Sequence, residues 1–577
     1  MDKVLPAAGS PAVLPAAEKA KLDANYLRGT LEEELQNAEP LFSKAAVGVL
    51  KFHGIYQQDD RDVRKTGPKA FSAMVRIGVP GGLLTADQYL TLDRLADIAD
   101  GSLRITTRQD IQFHQVPKSR VRELIRGVND CYLSTLAACG DVVRNVISCP
   151  APFQNDRRKE LYPIIKFISK SLKPKTTAYY EVWMDGERVA TAEESDGPEV
   201  EPLYGPTYLP RKFKIGFSYA GDNTVDVYAN DIGIIPHYED GELTSFTILA
   251  GGGMGQSAGV KTSHPRLADP ICSIGPSSEE LLEICSAIVS IHRDFGNRTN
   301  RKLARLKYVM DAWGVTKFKQ ELEIRVGREL APPQPLSWTR ADDYLGWHRQ
   351  GTDSDGRPVW FVGLRVISGR VKDYNSRQRI RTGLREIVQR FPVDVRLTCQ
   401  QNVYLGGIRD EDRATISSML REYGITAEPA SLPPVLRYAI ACPALPTCAL
   451  AITESERIMP EVVAEIQSEL TQAGLGDEVV HLRTSGCPNG CSRPYGAEIG
   501  IVGASLDMYT LYLGASPMGT RLGSVFATNV KRHDIAPRLR PVIEHYKDER
   551  EAGETFGDFC HRIGIPALQQ LPSLAAA

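Results

Sequence analysis

The stretch R-I-T-T-R-Q-D-I, Arg104 to Ile111, returns later in the chain as R-L-T-C-Q-Q-N-V, Arg396 to Val403. Upstream of each lies a second echo, M-V-R-I-G-V-P-G-G from Met74 and G-L-R-V-I-S-G-R from Gly363. Each copy reads as a strand, a Gly turn, a helix and a second strand. The first helix opens on a capping box, Thr85 with Gln88, and carries an apolar face at Leu92, Leu95, Ala96 and Ala99. A similar helix follows the last strand of the second copy, with Ile416, Met419, Leu420 and Tyr423 on one face and Gly424 at its end. Further on, A-N-D-I-G-I-I from Ala229 echoes A-E-I-G-I-V from Ala497. The fold class is therefore α+β, duplicated about a pseudo-two-fold axis, each half a small α+β unit followed by a larger strand-rich one. Two similar halves leave a cleft between them, a usual place for a ligand. Pro332 to Pro335 reads as the linker.

The chain has 577 residues, too many for one core. A net charge of −2 gives no global basic field for nucleic acid or an anionic membrane. No apolar run reaches spanning length, and the N-terminus lacks a charged-then-apolar signal, so a cytoplasmic protein is expected. Eleven cysteines in that setting point to thiols and metal ligands rather than disulfides.

Four of them form two tight pairs, C-P-A-L-P-T-C (Cys442, Cys448) and C-P-N-G-C (Cys487, Cys491), with 38 residues between the pairs. Four soft thiolates at one point suit an iron–sulfur cluster or a zinc ion. The proline-rich pairs remove backbone donors, and Asn489-Gly490 forces a turn. The other seven (Cys131, Cys139, Cys149, Cys272, Cys285, Cys399 and Cys560) read as small buried hydrophobes.

The first half is rich in cations instead: Arg76; Arg104 and Arg108; Arg144-Asn145; Arg211-Lys212-Phe213-Lys214; and Arg298, Arg301, Lys302, Arg305 and Lys307. In R-K-F-K a strand puts Lys212 and Lys214 on one face, where they repel unless an anion sits between them. Gly253-Met254-Gly255-Gln256-Ser257-Ala258 matches G-x-G-x-x-A, but prolines follow and no helix does. With no flavin or nicotinamide site in the chain, electrons must come from a partner.

The cysteine spacing, together with F-H-G-I-Y-Q-Q-D-D-R-D from Phe52, Y-L-P-R-K-F-K from Tyr208 and F-G-N-R-T-N-R-K from Phe295, resembles the siroheme-containing nitrite/sulfite reductase family over nearly the whole chain. The resemblance implies an N-terminal arm (1–65), ferredoxin-like half-domains at 66–135 and 345–430, and two larger α+β domains at 136–330 and 431–577. It implies a [4Fe–4S] cluster on Cys442, Cys448, Cys487 and Cys491, with Cys491 shared as axial ligand of siroheme. It assigns Arg76, Arg144, Lys212 and Lys214 to the substrate anion. Arg108, His114, Asn145, Arg211 and Arg305 become candidates for holding siroheme and its eight carboxylates. At Arg305 the family pattern has Lys. The implied reaction is six-electron reduction of sulfite to sulfide in cysteine biosynthesis. Its electrons would come from an NADPH-dependent FAD/FMN flavoprotein subunit or from ferredoxin. The alternative is a ferredoxin-dependent nitrite reductase, against which Lys214 argues, since nitrite enzymes typically carry Asn there.

Overall fold

The first half-domain is built on a five-stranded sheet in the order Ile55–Asp59, Phe71–Ile77, Ile111–Val116, Leu103–Ile105 and Arg370–Val371. The second repeats it as Gly346–Thr352, Pro358–Leu364, Val403–Arg409, Asp394–Leu397 and Leu83–Leu84. The last strand of each sheet thus comes from the other half: Arg370 pairs with Arg104, and Leu83 pairs with Arg396. The structure is a computed structural model. It describes residues 15–154, 158–176, 181–184, 187–191 and 201–572.

Glycine permits the exchange. Gly82 (φ 76°) and Gly369 (φ 71°) hold left-handed backbone at equivalent crossings. A Cβ on Gly82 would lie 2.3 Å from Leu397 O, and one on Gly369 would lie 2.1 Å from Ile105 O. The helices Ala86–Leu95 and Ile380–Arg390 cover the two sheets, the first opened by the Thr85/Gln88 capping box. One hydrophobic core runs through both half-domains, from Val75, Leu92 and Phe113 to Leu364, Leu384 and Leu405.

The larger domains repeat each other as well. In the first, the order is Ile147–Ser148, Ile215–Phe217, Ile232–Glu239, Glu242–Ala250 and Asp269–Ile274. In the second it is Ile440–Ala441, Leu482–Ser485, Ile499–Ser505, Met508–Leu513 and Ser524–Lys531. In both, the first three strands run parallel and the last two antiparallel.

Two expectations need correction. The arm was bounded at residue 65, yet Ile55–Asp59 pairs with Phe71–Ile77 and belongs to the first half-domain's sheet. The polar run I-Y-Q-Q-D hid this edge strand. Cys149 is not a plain hydrophobe. Cys149-Pro150-Ala151 follows Ile147–Ser148 as Cys442-Pro443-Ala444 follows Ile440–Ala441, so it is the first half's counterpart of Cys442. There Arg158 Nη1 donates to Cys149 Sγ at 2.7 Å and to Asp222 at 2.8 Å, a buried cation where the other half gathers thiols.

Candidate active site

Cys442 and Cys487 follow the carboxyl ends of two neighbouring parallel strands, Ile440–Ala441 and Leu482–Ser485. Gly486 N donates to Cys442 Sγ at 3.3 Å, and Asn489 Nδ2 lies 3.5 Å from Cys487 Sγ. Burial pushes the thiols of Cys442 and Cys487 up to about 12, and their next cause is the charge of Cys491. Cys448 is raised for the same two reasons. The four thiols therefore converge and repel, and deprotonating them together needs a cation. Among the described residues no three His, Cys, Asp or Glu side chains gather at single-ion distance.

Three supports hold the cysteine loops. Arg61 donates from Nη1 to Ala451 O at 2.9 Å and from Nη2 to Cys448 O, pinning the first loop from the N-terminal segment. Thr107 Oγ1 donates to Cys491 O at 3.0 Å. The G-x-G-x-x-A stretch is the third. It forms no nucleotide turn but backs directly onto C-P-N-G-C: Gln256 N donates to Pro488 O at 2.8 Å, and a Cβ on Gly255 would lie 3.2 Å from Asn489 O. Lys307, fully buried, cements this stretch through Gly255 O at 2.8 Å and Gly253 O at 3.2 Å.

The cations gather at the amino ends of the equivalent strands in the other half. Arg144-Asn145 precedes Ile147–Ser148, and Lys212 and Lys214 precede Ile215–Phe217. Phe213 is buried while Lys212 and Lys214 are partly exposed, so the two ammonium groups share a face as the strand reading expected. Among the described residues no carboxylate is bonded to the side chains of Lys212, Lys214 or Arg211. Burial pulls Lys212 down to about 8 against the attraction of Cys491, and pulls Lys214 well below its ordinary value, with Lys212 and Arg108 adding to the fall. Burial opposes the charge of Arg76, but Cys139, Asp110, Tyr56 and Cys491 together raise it above the ordinary arginine value. Arg76, Lys212 and Lys214 thus all sense Cys491, which joins the cation face to the cysteine face.

Arg144 spends Nε on Gly140 O (2.8 Å) and Nη1 on Ala138 O (3.3 Å). Asn145 Nδ2 donates to Val79 O and Arg108 O, both at 2.9 Å, while its Oδ1 is buried without a partner. Both ring nitrogens of His114 are buried and unpartnered, and burial, then Arg370, Arg104 and Arg76, hold the ring neutral. Orphaned polar atoms beside free cations fit a large, polyanionic, hydrogen-bonding group. Two of the candidates have other work. Arg108 donates to Asn230 Oδ1, Asn145 O and Ile215 O, leaving only Nε orphaned. Arg305 is bonded to buried Asp231 at 2.7 Å and to Gly252 O, and Asp231 in turn accepts from Lys214 N at 2.8 Å. Arg305 therefore shapes the site through Lys214's strand.

The remaining basic clusters are structural. Arg301 binds Asp141 at 2.6 Å, Arg298 binds Glu18, and Lys21 reaches Leu209 O at 2.7 Å, so the N-terminal helix Ala16–Asp23 is clamped on the rim beside Arg144 and Lys212. Arg104 and Arg370 share Glu456. The sequence reading missed Tyr56, Cys139 and Asp110, which face Arg76, and Asp226, which ties Arg483 and Arg493 together. No local pattern marks any of the four.

The lysines give a testable pH dependence. A lowered pKa means the cation is present in acid and lost as pH rises through it, so anion affinity should fall above about pH 8 through Lys212. Lys212→Arg keeps its charge and should flatten the loss of anion affinity between pH 8 and 9; an unchanged profile would show that Lys212 does not carry it.

A family model described as the nitrite and sulphite reductase 4Fe-4S domain matches residues 166–330, and one described as the nitrite/sulfite reductase ferredoxin-like half domain matches residues 67–131 and 352–423. The sulfite reductase (ferredoxin) of Synechococcus elongatus is 42% identical over 97% of this chain and 91% of its own length. The sulfite reductase (NADPH) hemoprotein beta-component of Geobacillus kaustophilus is 42% identical over 95% of both chains. The same component of Chromohalobacter salexigens is 42% identical over 97% of this chain and 96% of its own. The solved Mycobacterium tuberculosis NirA protein superposes with a TM-score of 0.76 at 23% identity, covering 97% of this chain and 98% of that one, a likeness of fold. On the strength of identity sustained over nearly its full length, the chain belongs to the nitrite/sulfite reductase family.

Proposed function

We propose that the protein reduces sulfite to sulfide, six electrons per sulfite, with a siroheme and a [4Fe–4S] cluster that Cys442, Cys448, Cys487 and Cys491 would hold. The observation that carries this is the set of Arg76, Lys212 and Lys214, which form no carboxylate ion pair among the described residues and all lie in electrostatic reach of Cys491. Siroheme and cluster supply low-potential electrons to sulfur. The chain supplies the rest. Arg76 and Arg144 give fixed positive charge to the oxyanion. Lys212 and Lys214, with lowered pKa values, bind its oxygens and can release protons to them. His114 and Arg211 offer N–H donors for the macrocycle's carboxylates, while the unspent Oδ1 of Asn145 can accept from a cation or a water in the site.

The electron donor is a separate protein, either an NADPH-dependent flavoprotein subunit or ferredoxin; relatives carry both names. Among the described residues no helix is long and apolar enough to cross a membrane, and we place the protein in the cytoplasm with its donor.

The test is the visible spectrum of the purified protein followed by turnover of sulfite and of nitrite with reduced methyl viologen. Siroheme bands with sulfide production are expected. A marked preference for nitrite would replace the substrate while keeping the cofactors. Lys214→Asn removes one of two like charges on the anion face and should lower sulfite turnover about tenfold or more, with a smaller loss for nitrite, the less charged anion. Equal losses would refute a role for Lys214 in the choice between them.

A further inference from the structure

Asp110 is a buried acid, 1% exposed, that the substrate-binding scheme does not use. It closes the turn after Leu103–Ile105: Thr106 N donates to Asp110 O at 2.9 Å, and Asp110 N donates back to Thr106 Oγ1 at 3.1 Å. Its Oδ1 has no hydrogen-bond partner. The groups that face it are Arg76 from Phe71–Ile77, Arg108 from its own turn, and Arg144 and Asn145 from the segment before Ile147–Ser148.

The second half holds the control. The same turn recurs with Asn402 in the place of Asp110, where Thr398 N donates to Asn402 O and Asn402 N to Thr398 Oγ1, both at 3.0 Å. There the amide is satisfied: Oδ1 accepts from Arg365 Nη1 at 2.8 Å and from Val366 N at 3.1 Å, and Nδ2 donates to Asp343 at 2.8 Å. The turn therefore does not need a carboxylate. At this position of the turn the acid stands only in the half that carries the anion-binding cations; in the other half an acid, Asp343, reaches the turn from outside it and is bonded by Thr398 and Asn402.

Building on the sulfite reading above, we infer that Asp110 takes up a proton when the substrate anion settles among Arg76, Arg144, Lys212 and Lys214, so that binding brings into the site a proton for the first S–O cleavage. Three guanidinium groups keep the acid ionised against its burial. An incoming dianion cancels their field and adds like charge, and both effects raise the acid's proton affinity. Burial already sets Asp110 up at about 6, with Arg76, Arg108 and Arg144 pulling the other way. A rise past neutrality would turn a mostly ionised acid into a mostly protonated one. The proton comes from bulk water. Each S–O cleavage takes two electrons from the donor and two protons, and releases one water; Asp110 provides one of the first two protons and returns to carboxylate. It is a proton store and positions no atom of the substrate.

Calorimetric titration of the siroheme-loaded protein with sulfite at pH 7, in two buffers of different ionisation enthalpy, counts the protons bound. Wild type is expected to take up about one proton more than Asp110→Asn. The variant should also lose kcat about tenfold or more while its sulfite KM holds or falls, because a negative charge has left the site. Equal proton uptake overturns the inference and leaves the sulfite reading standing. Sulfite that neither binds nor perturbs the visible spectrum of wild type overturns both. Should Asp110→Asn not fold, infrared difference spectra of wild type decide: a protonated-carboxyl stretch that appears on adding sulfite supports the inference, and its absence overturns it.

Discussion

Replacement of Cys491 by serine is expected to give a folded protein that holds neither cofactor firmly and does not reduce sulfite. Cys491 is solvent-exposed, and its loop is held by backbone contacts that survive the change: Thr107 Oγ1 on Cys491 O, and Gln256 N on Pro488 O. Serine keeps the shape and removes the soft thiolate. Its hydroxyl stays protonated at neutral pH and is a poor ligand for iron in a cluster. Cys442, Cys448 and Cys487 remain, so the cluster would lose one of four ligands and its covalent link to siroheme together. Changes outside the first ligand sphere already cost about 10–100-fold in metal affinity or activity, so the loss here should exceed that. Iron and labile sulfide content, the visible spectrum after gel filtration and turnover with methyl viologen measure it. Cys131→Ser, away from the loops, should leave loading unchanged. A Cys491→Ser protein that kept its bands and its turnover would show that Cys491 is not the shared ligand.

The sequence made the duplication legible because its echoes lie in regular elements with local signals: the capping box at Thr85, the apolar face at Leu92, the paired strand motifs. It made the cysteines legible because ligand spacing is local. The strand exchange was hidden. Leu83–Leu84 and Arg370–Val371 are two residues long and carry no period, and their partners lie in the other half. The same reason hid the division of labour among the basic residues. Arg305, Arg301 and Arg298 look alike in the sequence as anion ligands, yet each has met its own carboxylate at Asp231, Asp141 or Glu18. Arg76, Lys212 and Lys214 stand out only once those pairings are known. Asp110 illustrates the limit best. Its surroundings of Arg76 and Arg144 come from two other segments.

Asp226→Ala should cost about 3–5 kcal/mol of stability, the largest effect expected from any single charge in this chain. Asp226 is a buried residue of the first large domain with a left-handed backbone (φ 51°). Its Oδ2 accepts from Arg483 Nη1 at 2.6 Å and from Arg493 Nε at 2.5 Å, both in the second large domain. Arg493 goes on to Thr107 O at 3.1 Å and Cys399 O at 2.9 Å, one in each copy of the repeated turn. One carboxylate therefore neutralises two buried guanidiniums where all four units meet, and its removal strands both. Asp226→Asn keeps the shape without the charge and should fall between. Burial pushes the Asp226 carboxyl up, but Arg483 and Arg493 pull it below the ordinary aspartate range. With a depressed folded-state pKa, its contribution is fully present above the unfolded value of about 3.9 and is lost as pH falls through the folded one. Denaturant unfolding should show a constant gap between wild type and Asp226→Ala near neutrality that closes below about pH 4. Arg493 also lies two residues beyond Cys491, so the variant should release iron faster to a chelator than wild type does. A gap below about 1 kcal/mol, or one indifferent to acid, would mean that the two guanidiniums find other partners and that the halves are held by packing alone.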